Sequence, residues 1–279
     1  MLVFILTVLA FIGLVAMGLG VINAYIDPQH FIWTSLFGLA FWVIFFFNVL
    51  ILLLLILLWS RKAWISVVAL LVAIPGISKS YSFGSKSEAT DSMRVMSYNV
   101  HMFKCIGKEM DSEGFASHVI EIVREQNPDI LCVQEFQGFK KKTTRQKCIE
   151  LFGEETGLQH VYYNQKNNYG GNVIFSKYPI AKVDEKSGFG QENTYGVMVS
   201  VDAGDKGKFH VANIHLLSYN ITDSEIDVLT NSNERQDKMD TIGKKVLHKL
   251  NYAFQRRSVE MKKMLGGMPP VDGPVIMCG

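Results

Sequence analysis

Two short apolar runs of this sequence are each followed by a side chain that could bind a metal ion. Asn99 ends the run within Met93–Phe103, and Glu135 ends the run within Pro128–Phe136. Both runs have the length of buried strands and are bounded by polar or turn residues, which predicts two core strands of an α/β sheet. A carboxylate and an amide at the ends of such strands are oxygen ligands of the kind that Mg²⁺ prefers. Taken alone, however, Glu135 could be an ordinary polar residue at a strand end.

Four short motifs follow one another along the chain. They are SYN ending at Asn99, QE ending at Glu135, GNVIFSKYPI containing Asn172, and NIHL containing His215. In this order they resemble the endonuclease/exonuclease/phosphatase superfamily, whose members include pancreatic deoxyribonuclease, bacterial sphingomyelinases and inositol-polyphosphate 5-phosphatases. The resemblance covers about Met93–Gly279 and implies a four-layer α/β sandwich, in which helices flank two packed mixed sheets.

The resemblance also implies a chemistry, the hydrolysis of a phosphoester bond with the help of Mg²⁺, or of Mn²⁺ in its place. Glu135 would then bind the metal and Asn99 would support the metal and phosphate site. His215 would be catalytic, stabilising the charge that develops on the scissile phosphate. Asn172 would bind the substrate.

Relatives contain further elements that this sequence does not include. After a strand like Pro274–Cys278 they continue with Asp-x-Asn and later Ser-Asp-His, which supply a water-activating aspartate and a general base. By this resemblance Gly279 would directly precede that aspartate. We therefore expect the domain to be incomplete at its C-terminus, and the 279-residue chain to be inactive by itself.

Hydrophobic periodicity predicts the elements that would position these residues. A helix should connect the first two strands, two further strand pairs should carry Asn172 and His215, and a long helix should precede the last strand. The predicted helices are Phe115–Asn127 and Met239–Leu265, and the predicted strand pairs are His160–Tyr163 with Asn172–Ser176 and Val197–Val201 with Phe209–Ile214. The basic stretch Phe139–Lys147 is typical of a solvated helix face, with a phosphate-binding patch as the alternative.

Three apolar segments precede position 79, namely Leu2–Ile22, Phe31–Trp59 and Ala63–Ser78. The first two lack charged residues and are long enough to cross a bilayer, which takes ~20 apolar residues. A signal peptide is the alternative for the first segment, but a basic n-region is missing and a second apolar segment follows. The third segment is short, and Pro75 near its end should loosen it.

The apolar segments predict a multi-pass membrane protein. Arg61 and Lys62 form the one short basic loop, which should stay in the cytoplasm. The domain that follows the third segment would then lie on the extracytoplasmic side, or in the cytoplasm if that segment does not cross. The predicted organisation is a membrane region at 1–78, a polar linker at 79–91 and the α/β domain at 92–279.

Charge and cysteine usage narrow the choice of function. The net charge is only +2, whereas non-specific nucleic-acid binders usually carry a large basic surplus. We therefore predict a membrane-anchored phosphoesterase acting on a lipid or another small phosphoester, with a nuclease and an inactive membrane-tethered binding module as alternatives. No protein partner can be inferred. The cysteines lack metal-site spacing and should be inert thiols, although a Cys105–Cys148 disulfide is an alternative in an oxidising compartment.

Overall fold

The structure is a computed structural model that describes residues 1–81, 92–104, 111–140, 142–163, 171–183, 196–230 and 236–279. Most of the predicted linker, at 82–91, lies outside the described residues, and so does Cys105. Its suggested disulfide partner Cys148 is a buried free thiol. Within the described residues the helices are α1 (Leu2–Ile22), α2 (Trp33–Leu39), α3 (Phe41–Leu57), α4 (Trp64–Ser80), α5 (Ser112–Gln126), α6 (Arg145–Thr156), α7 (Asp223–Thr230) and α8 (Gln236–Gly266).

Eight described strands form two sheets of four. They are β1 (Val95–Asn99), β2 (Ile130–Phe136), β3 (His160–Tyr163), β4 (Gly171–Ser176), β5 (Ile180–Lys182), β6 (Gly196–Asp202), β7 (Lys208–Ile214) and β8 (Val275–Cys278). The first sheet has the order β1-β2-β4-β3 and the second the order β5-β6-β7-β8. Each sheet has one parallel pair, β1 with β2 and β7 with β8, among antiparallel ones. The predicted α/β class with two mixed sheets is confirmed.

Two apolar layers follow from the alternation of side chains along the strands. On one face of the first sheet, Leu131 and Val133 of β2 pack with apolar residues of α5 and α6 such as Val119 and Phe152. On its other face, Ile130 and Cys132 pack with residues of the second sheet, which include Val197, Val199, Val201 and Val211. The two sheets therefore lie face to face, with helices α5 and α6 outside the first.

The described chain forms two compact units. The α/β unit consists of Ala89–Leu217 and Glu260–Gly279, and the helical unit consists of Met1–Glu88 and Ser218–Val259. The division predicted from sequence, at 1–78, 79–91 and 92–279, stays a prediction.

In the helical unit, α1, α3 and α4 pack side by side along their apolar faces. Leu6, near the start of α1, packs with Leu55 near the end of α3 and with Ile65 at the start of α4. Further along, Met17 packs with Phe41 and Ala73. These contacts make α1 and α4 parallel to each other and antiparallel to α3.

The second and third apolar segments differ in detail from their predictions. The second is divided into α2 and α3, which meet at an angle of 68°, because the backbone leaves helical geometry at Ala40. The third remains helical through Pro75 to Ser80, two residues beyond the predicted end. By length and composition, α1 and the helix over Arg61–Ser80 could each cross a membrane, and the bent pair could form a third span.

Ion pairs connect α7 to α8 in the helical unit. The Lys249 ammonium donates to both carboxylate oxygens of Glu225, at 2.8 and 2.9 Å, and Lys245 lies 2.9 Å from the same carboxylate. The hydrogen bond from Lys249, the backbone N–H of Thr222 and Lys245 together lower the pKa of Glu225 to about 2. The carboxylate is therefore ionised at neutral pH.

Candidate active site

The parallel pairing of β1 with β2 brings the first two predicted site residues together. Asn99 lies opposite Gln134 in the register, so both strands end at the same edge of the sheet. The Asn99 amide nitrogen donates a hydrogen bond to Oε1 of Glu135 at 3.0 Å. The amide and the carboxylate, which are far apart in sequence, therefore form one pair at this edge.

A β-bulge turns Glu135 towards the edge of the sheet. Leu131 and Val133 face the helices, so strict alternation would place Glu135 there too, in an apolar layer. The pairing of β2 with β4 shifts between Val133 and Phe136, and Glu135 adopts a left-handed backbone with φ +55°. Phe136 then takes the place facing the helices, and the carboxylate of Glu135 remains 19% exposed.

A left-handed backbone costs a non-glycine residue roughly 1–2 kcal/mol, so other contacts must hold the bulge in place. Arg145, the first residue of α6, supplies one of them. Its Nε donates to the carbonyl oxygen of Phe136 at 2.9 Å, directly after Glu135. Burial lowers the pKa of the Arg145 guanidinium, and Tyr163 opposes that change. Arg145 belongs to the basic stretch Phe139–Lys147, and its hydrogen bond to Phe136 supports the backbone beside the site.

A second strained turn follows Asn99. His101, Met102 and Phe103 all have positive φ angles, between 45° and 55°. The side-chain oxygen of Asn99 accepts a hydrogen bond from the backbone N–H of His101 at 2.8 Å. Phe103 is fully buried and meets the ring of Phe136 edge-on at 4.9 Å. Asn99 therefore bridges this turn and Glu135, with its oxygen bonded to the turn and its nitrogen to the carboxylate.

The second sheet contributes His215, the first residue after β7. Its Nε2 lies 3.3 Å from Oε1 of Glu135, the oxygen that also accepts from Asn99. One-third of the His215 side chain is exposed, so the imidazole is accessible from solvent. The segment after it is held by α8, because the backbone N–H of Leu217 donates to the buried carboxylate of Glu260 at 2.9 Å. Sequence reasoning did not identify Glu260.

A buried amide network lies directly beneath these residues. Asn213, fully buried on β7, donates through Nδ2 to the carbonyl oxygens of Val133 at 2.8 Å and Val173 at 2.9 Å. Gln134 donates to the Asn213 side-chain oxygen at 2.7 Å. Asn172 donates to the Asn213 carbonyl at 3.3 Å. The predicted substrate-binding residue Asn172 therefore belongs to this network, and its substrate role stays a prediction.

Sequence reasoning missed Asn213 and Gln134 as members of the site. The available signal was their place inside two motifs, since Gln134 directly precedes Glu135 and Asn213 stands two residues before His215. Each could equally have been an ordinary polar residue of a strand. Only the packing of one sheet on the other identifies them as partners.

The oxygen ligands available at this edge of the sheet suit a hard divalent cation. In the described part of the chain, Oε1 of Glu135 carries both contacts, whereas Oε2 has no hydrogen-bond partner. Among the same residues, no group of three or more histidine, cysteine, aspartate or glutamate side chains could form a metal site. Glu135 thus fits as a single carboxylate ligand, with Asn99 orienting it, and substrate or water oxygens would complete the coordination.

Two separate parts of the chain match known protein families or domains. Residues 96–241 match the endonuclease/exonuclease/phosphatase family. Residues 1–80 match a domain of unknown function, DUF8431. No curated protein matches the chain.

Solved structures to which the chain is similar include an endonuclease/exonuclease/phosphatase from Beutenbergia cavernae DSM 12333. It is 14% identical, with a TM-score of 0.32, and the match covers 56% of this chain and 43% of that protein. TDP2 from Caenorhabditis elegans is 19% identical, with a TM-score of 0.33, and the match covers 70% of this chain and 60% of TDP2. The chain thus spans less than two-thirds of the length of either protein.

Proposed function

Because this chain belongs to the endonuclease/exonuclease/phosphatase family, we propose that its α/β unit hydrolyses a phosphoester bond with the help of Mg²⁺, or Mn²⁺ in its place, at the edge formed by Asn99, Glu135 and His215. The observation that carries this proposal is the meeting of all three side chains at one oxygen atom, Oε1 of Glu135. They come from three strands in two sheets, and they are the residues on which the sequence motifs converge.

Each residue has a distinct role in this proposal. Glu135 would hold Mg²⁺, with Asn99 orienting the carboxylate, and the bound cation would polarise a phosphoryl oxygen. The imidazole of His215 would hydrogen-bond a phosphate oxygen and stabilise the charge that develops on it. Since the chain covers only part of the length of its structural neighbours, the activity of the whole protein is included in the proposal.

We further propose that the enzyme is a multi-pass membrane protein whose substrate is a phospholipid-type or other small phosphoester. The apolar helices would place the site near a membrane, and the net charge of +2 is low for a protein that binds bulk DNA. A nuclease is the runner-up, and an inactive membrane-tethered binding module is a second alternative.

The packing of the helical unit supports an extracytoplasmic site. Parallel α1 and α4 place Arg61 and Lys62 at the same end of the bundle as the N-terminus. At the opposite end, the Lys79 ammonium lies 4.5 Å from the ring of Tyr25, in the loop after α1. With Arg61 and Lys62 in the cytoplasm, the chain that follows α4 would emerge on the other side.

The activity is tested on the purified full-length protein, including any residues that follow Gly279, in detergent, with a small phosphodiester, a phospholipid and DNA as substrates. Glu135→Gln should reduce Mg²⁺-dependent turnover by about 10³-fold, because a metal ligand contributes several kcal/mol to the transition state and each 1.4 kcal/mol is tenfold. Glu150→Gln is the matched control, since Glu150 is an exposed carboxylate on α6 paired with Lys147. Full turnover in Glu135→Gln at saturating Mg²⁺ would refute the assignment.

The substrate panel separates the alternatives. Preference for the phospholipid or the small diester supports the proposal, whereas preference for DNA identifies a nuclease. Binding without turnover of any substrate by the full-length wild-type protein would favour the inactive binding module. An Asn172→Ala variant is tested in the same assay to distinguish a substrate-binding role from a positioning role. Loss of a substrate contact raises KM, whereas loss of a positioning residue lowers kcat.

Orientation is tested with reporters fused after Lys86. A reporter that works only outside the cytoplasm should be active, and one that works only in the cytoplasm should be silent. The reverse result would mean that α4 does not cross the membrane.

A further inference from the structure

We propose that Asn213 and Gln134 are positioning residues, a buried amide bridge between the two sheets that holds the imidazole of His215 against the carboxylate of Glu135. The inference rests on the proposed function for its kinetic test, and on the structure alone for its spectroscopic test. Neither residue contacts a substrate in this proposal; both act through the residues beside them.

The site needs such a bridge because its two halves belong to different sheets. Glu135 ends a strand of the first sheet and His215 follows a strand of the second. Backbone hydrogen bonds join strands within each sheet, but an apolar layer of residues such as Ile130 and Val199 lies between the sheets. Apolar contact is non-directional, so it tolerates small sliding of one sheet over the other. Hydrogen bonds have preferred distances and angles, and therefore fix the register.

The bridge lies next to Glu135 on one sheet and close to His215 on the other. Gln134 directly precedes Glu135, and its amide donates to Oδ1 of Asn213 at 2.7 Å. Asn213 stands two residues before His215 on the other sheet. One short side-chain contact therefore connects the backbone that carries the carboxylate to the backbone that carries the imidazole.

The contacts of Asn213 also fix the bulge at Glu135. Its Nδ2 donates to the carbonyl oxygens of Val133 on β2 and Val173 on β4. These two residues form the last regular pair before the register shifts. Asn213 thus binds both strands at the place where their own pairing becomes irregular. Both amide hydrogens and the side-chain oxygen of Asn213 are used, and Gln134 donates additionally to Ser97 Oγ at 3.1 Å. Such a bridge is rigid because each member is held by several partners.

Asn213→Ala should lower kcat by roughly 10–100-fold with little change in KM, the usual cost of losing a group that orients a metal ligand. The decisive comparison is the same substitution in a His215→Ala background. In that background Asn213→Ala can act only through Glu135, so it should cause a clearly smaller loss than in the wild type. A merely structural residue would cause the same loss in both backgrounds, and that outcome would overturn the proposal. Gln134→Met, which removes the donor to Asn213 and nearly preserves volume, replaces Asn213→Ala if the latter does not fold.

Val211→Ala is the matched control for stability. Val211 is fully buried two residues before Asn213 on the same strand, in the apolar layer between the sheets. It should lower the thermal midpoint of unfolding but leave kcat per folded molecule close to that of the wild type. Equal loss of kcat in Val211→Ala and Asn213→Ala would show that any weakening of this layer disturbs the site, and would refute a specific role of the bridge.

A second measurement is independent of turnover. In the full chain labelled with ¹⁵N-histidine, the ring signals of His215 are assigned by their loss in His215→Ala. Glu135→Gln should shift these signals in an otherwise wild-type chain, and should no longer shift them once Asn213 is alanine. If Glu135→Gln shifts them equally in both backgrounds, the bridge does not control the contact. Absence of turnover in the wild type would count against the proposed function only, since this measurement would still test the bridge.

Discussion

Two fully buried asparagines, one in each unit, show how differently the same amide group is used. Asn213 in the α/β unit uses both amide hydrogens and its side-chain oxygen, all in contacts with the other sheet. Asn48 on α3 donates to the carbonyl oxygens of Gly13 on α1 and Ile44 on its own helix. Its side-chain oxygen has no partner among the described residues. The amide beneath the candidate site is thus fully satisfied, and the one between the apolar helices is not.

The two units place different requirements on a buried polar group. In water-facing α/β domains an unsatisfied buried amide is costly, so a complete network fixes a single geometry. If α1 and α3 lie in a bilayer, as proposed, one hydrogen bond between them contributes about 0.6 kcal/mol on average, and close packing of small residues matters more. Gly13 shows this, since a Cβ there would lie 2.5 Å from the oxygen of Asn48. The unit that carries the site should therefore depend on its amide far more than the bundle does.

The largest effect on stability is expected for Asn213→Leu. Leucine has a similar volume but leaves the carbonyl oxygens of Val133 and Val173 and the amide of Gln134 without this partner. Each buried polar group left unpaired costs about 1–3 kcal/mol, so the free energy of unfolding of the α/β unit should fall by roughly 3 kcal/mol or more. Urea denaturation followed by circular dichroism measures it. A loss below about 1 kcal/mol would contradict the importance of this network.

Gly13→Ala should have the next largest effect, within the helical unit. The added methyl group would lie 2.5 Å from the side-chain oxygen of Asn48, which is fully buried and must therefore shift. Overpacking of this kind costs typically ~1–3 kcal/mol. Titration of the full chain with SDS, followed by helical circular dichroism, compares the variant with the wild type. Gly18→Ala is the control, because a Cβ at Gly18 on the same helix would meet no atom within 4 Å.

Asn48→Leu repeats the Asn213 substitution in the apolar bundle and should have a much smaller effect. It removes the hydrogen bond to Gly13, but it also removes an oxygen that has no partner among the described residues. We expect a change of at most about 1 kcal/mol in the SDS titration. If Asn48→Leu is as harmful as Asn213→Leu, the contrast between the two units is wrong.

The smallest effect, and the one that depends on pH, concerns Glu225. Its pKa is about 2 in the folded protein, below the usual 4.5, because of Lys249, Thr222 and Lys245. An acid whose pKa is lowered on folding stabilises the folded state above its unfolded pKa, and that contribution is lost as pH falls through about 2. Glu225→Gln should therefore lower the thermal midpoint at pH 7, with a difference that shrinks steadily below about pH 4.5. A difference that is constant with pH would show that the ion pairs contribute nothing.

Much of the α/β unit could be predicted from local sequence patterns. The pairing of His160–Tyr163 with β4 and of β6 with β7 agrees with the predicted strand pairs, because short apolar runs bounded by turn residues specify strands. The basic stretch Phe139–Lys147 indicates a solvated helix face, but α6 includes only its last three residues and continues beyond it to Thr156. It begins at Arg145 after the N-cap Thr144 and buries Cys148 and Phe152.

The orientation of Glu135 could not be predicted from its own strand. Simple alternation along β2 directs that side chain into the apolar layer under α5 and α6, where a carboxylate would be unfavourable. The contradiction is resolved by the bulge, which appears only in the pairing of β2 with β4. A polar residue that violates the alternation of its strand is thus a usable sign of a functional bulge.

Burial periodicity and motif order are local properties of the chain. The apolar helices, most of the strands and the four motifs that carry Asn99, Glu135, Asn172 and His215 could therefore be predicted without the structure. In contrast, the meeting of Asn99, Glu135 and His215 at one carboxylate oxygen, with Asn213 beneath them, is visible only in the folded structure. That meeting depends on how two sheets stack on each other. The stacking is set by contacts between residues about 80 positions apart, such as Gln134 with Asn213, and no local pattern encodes their distance.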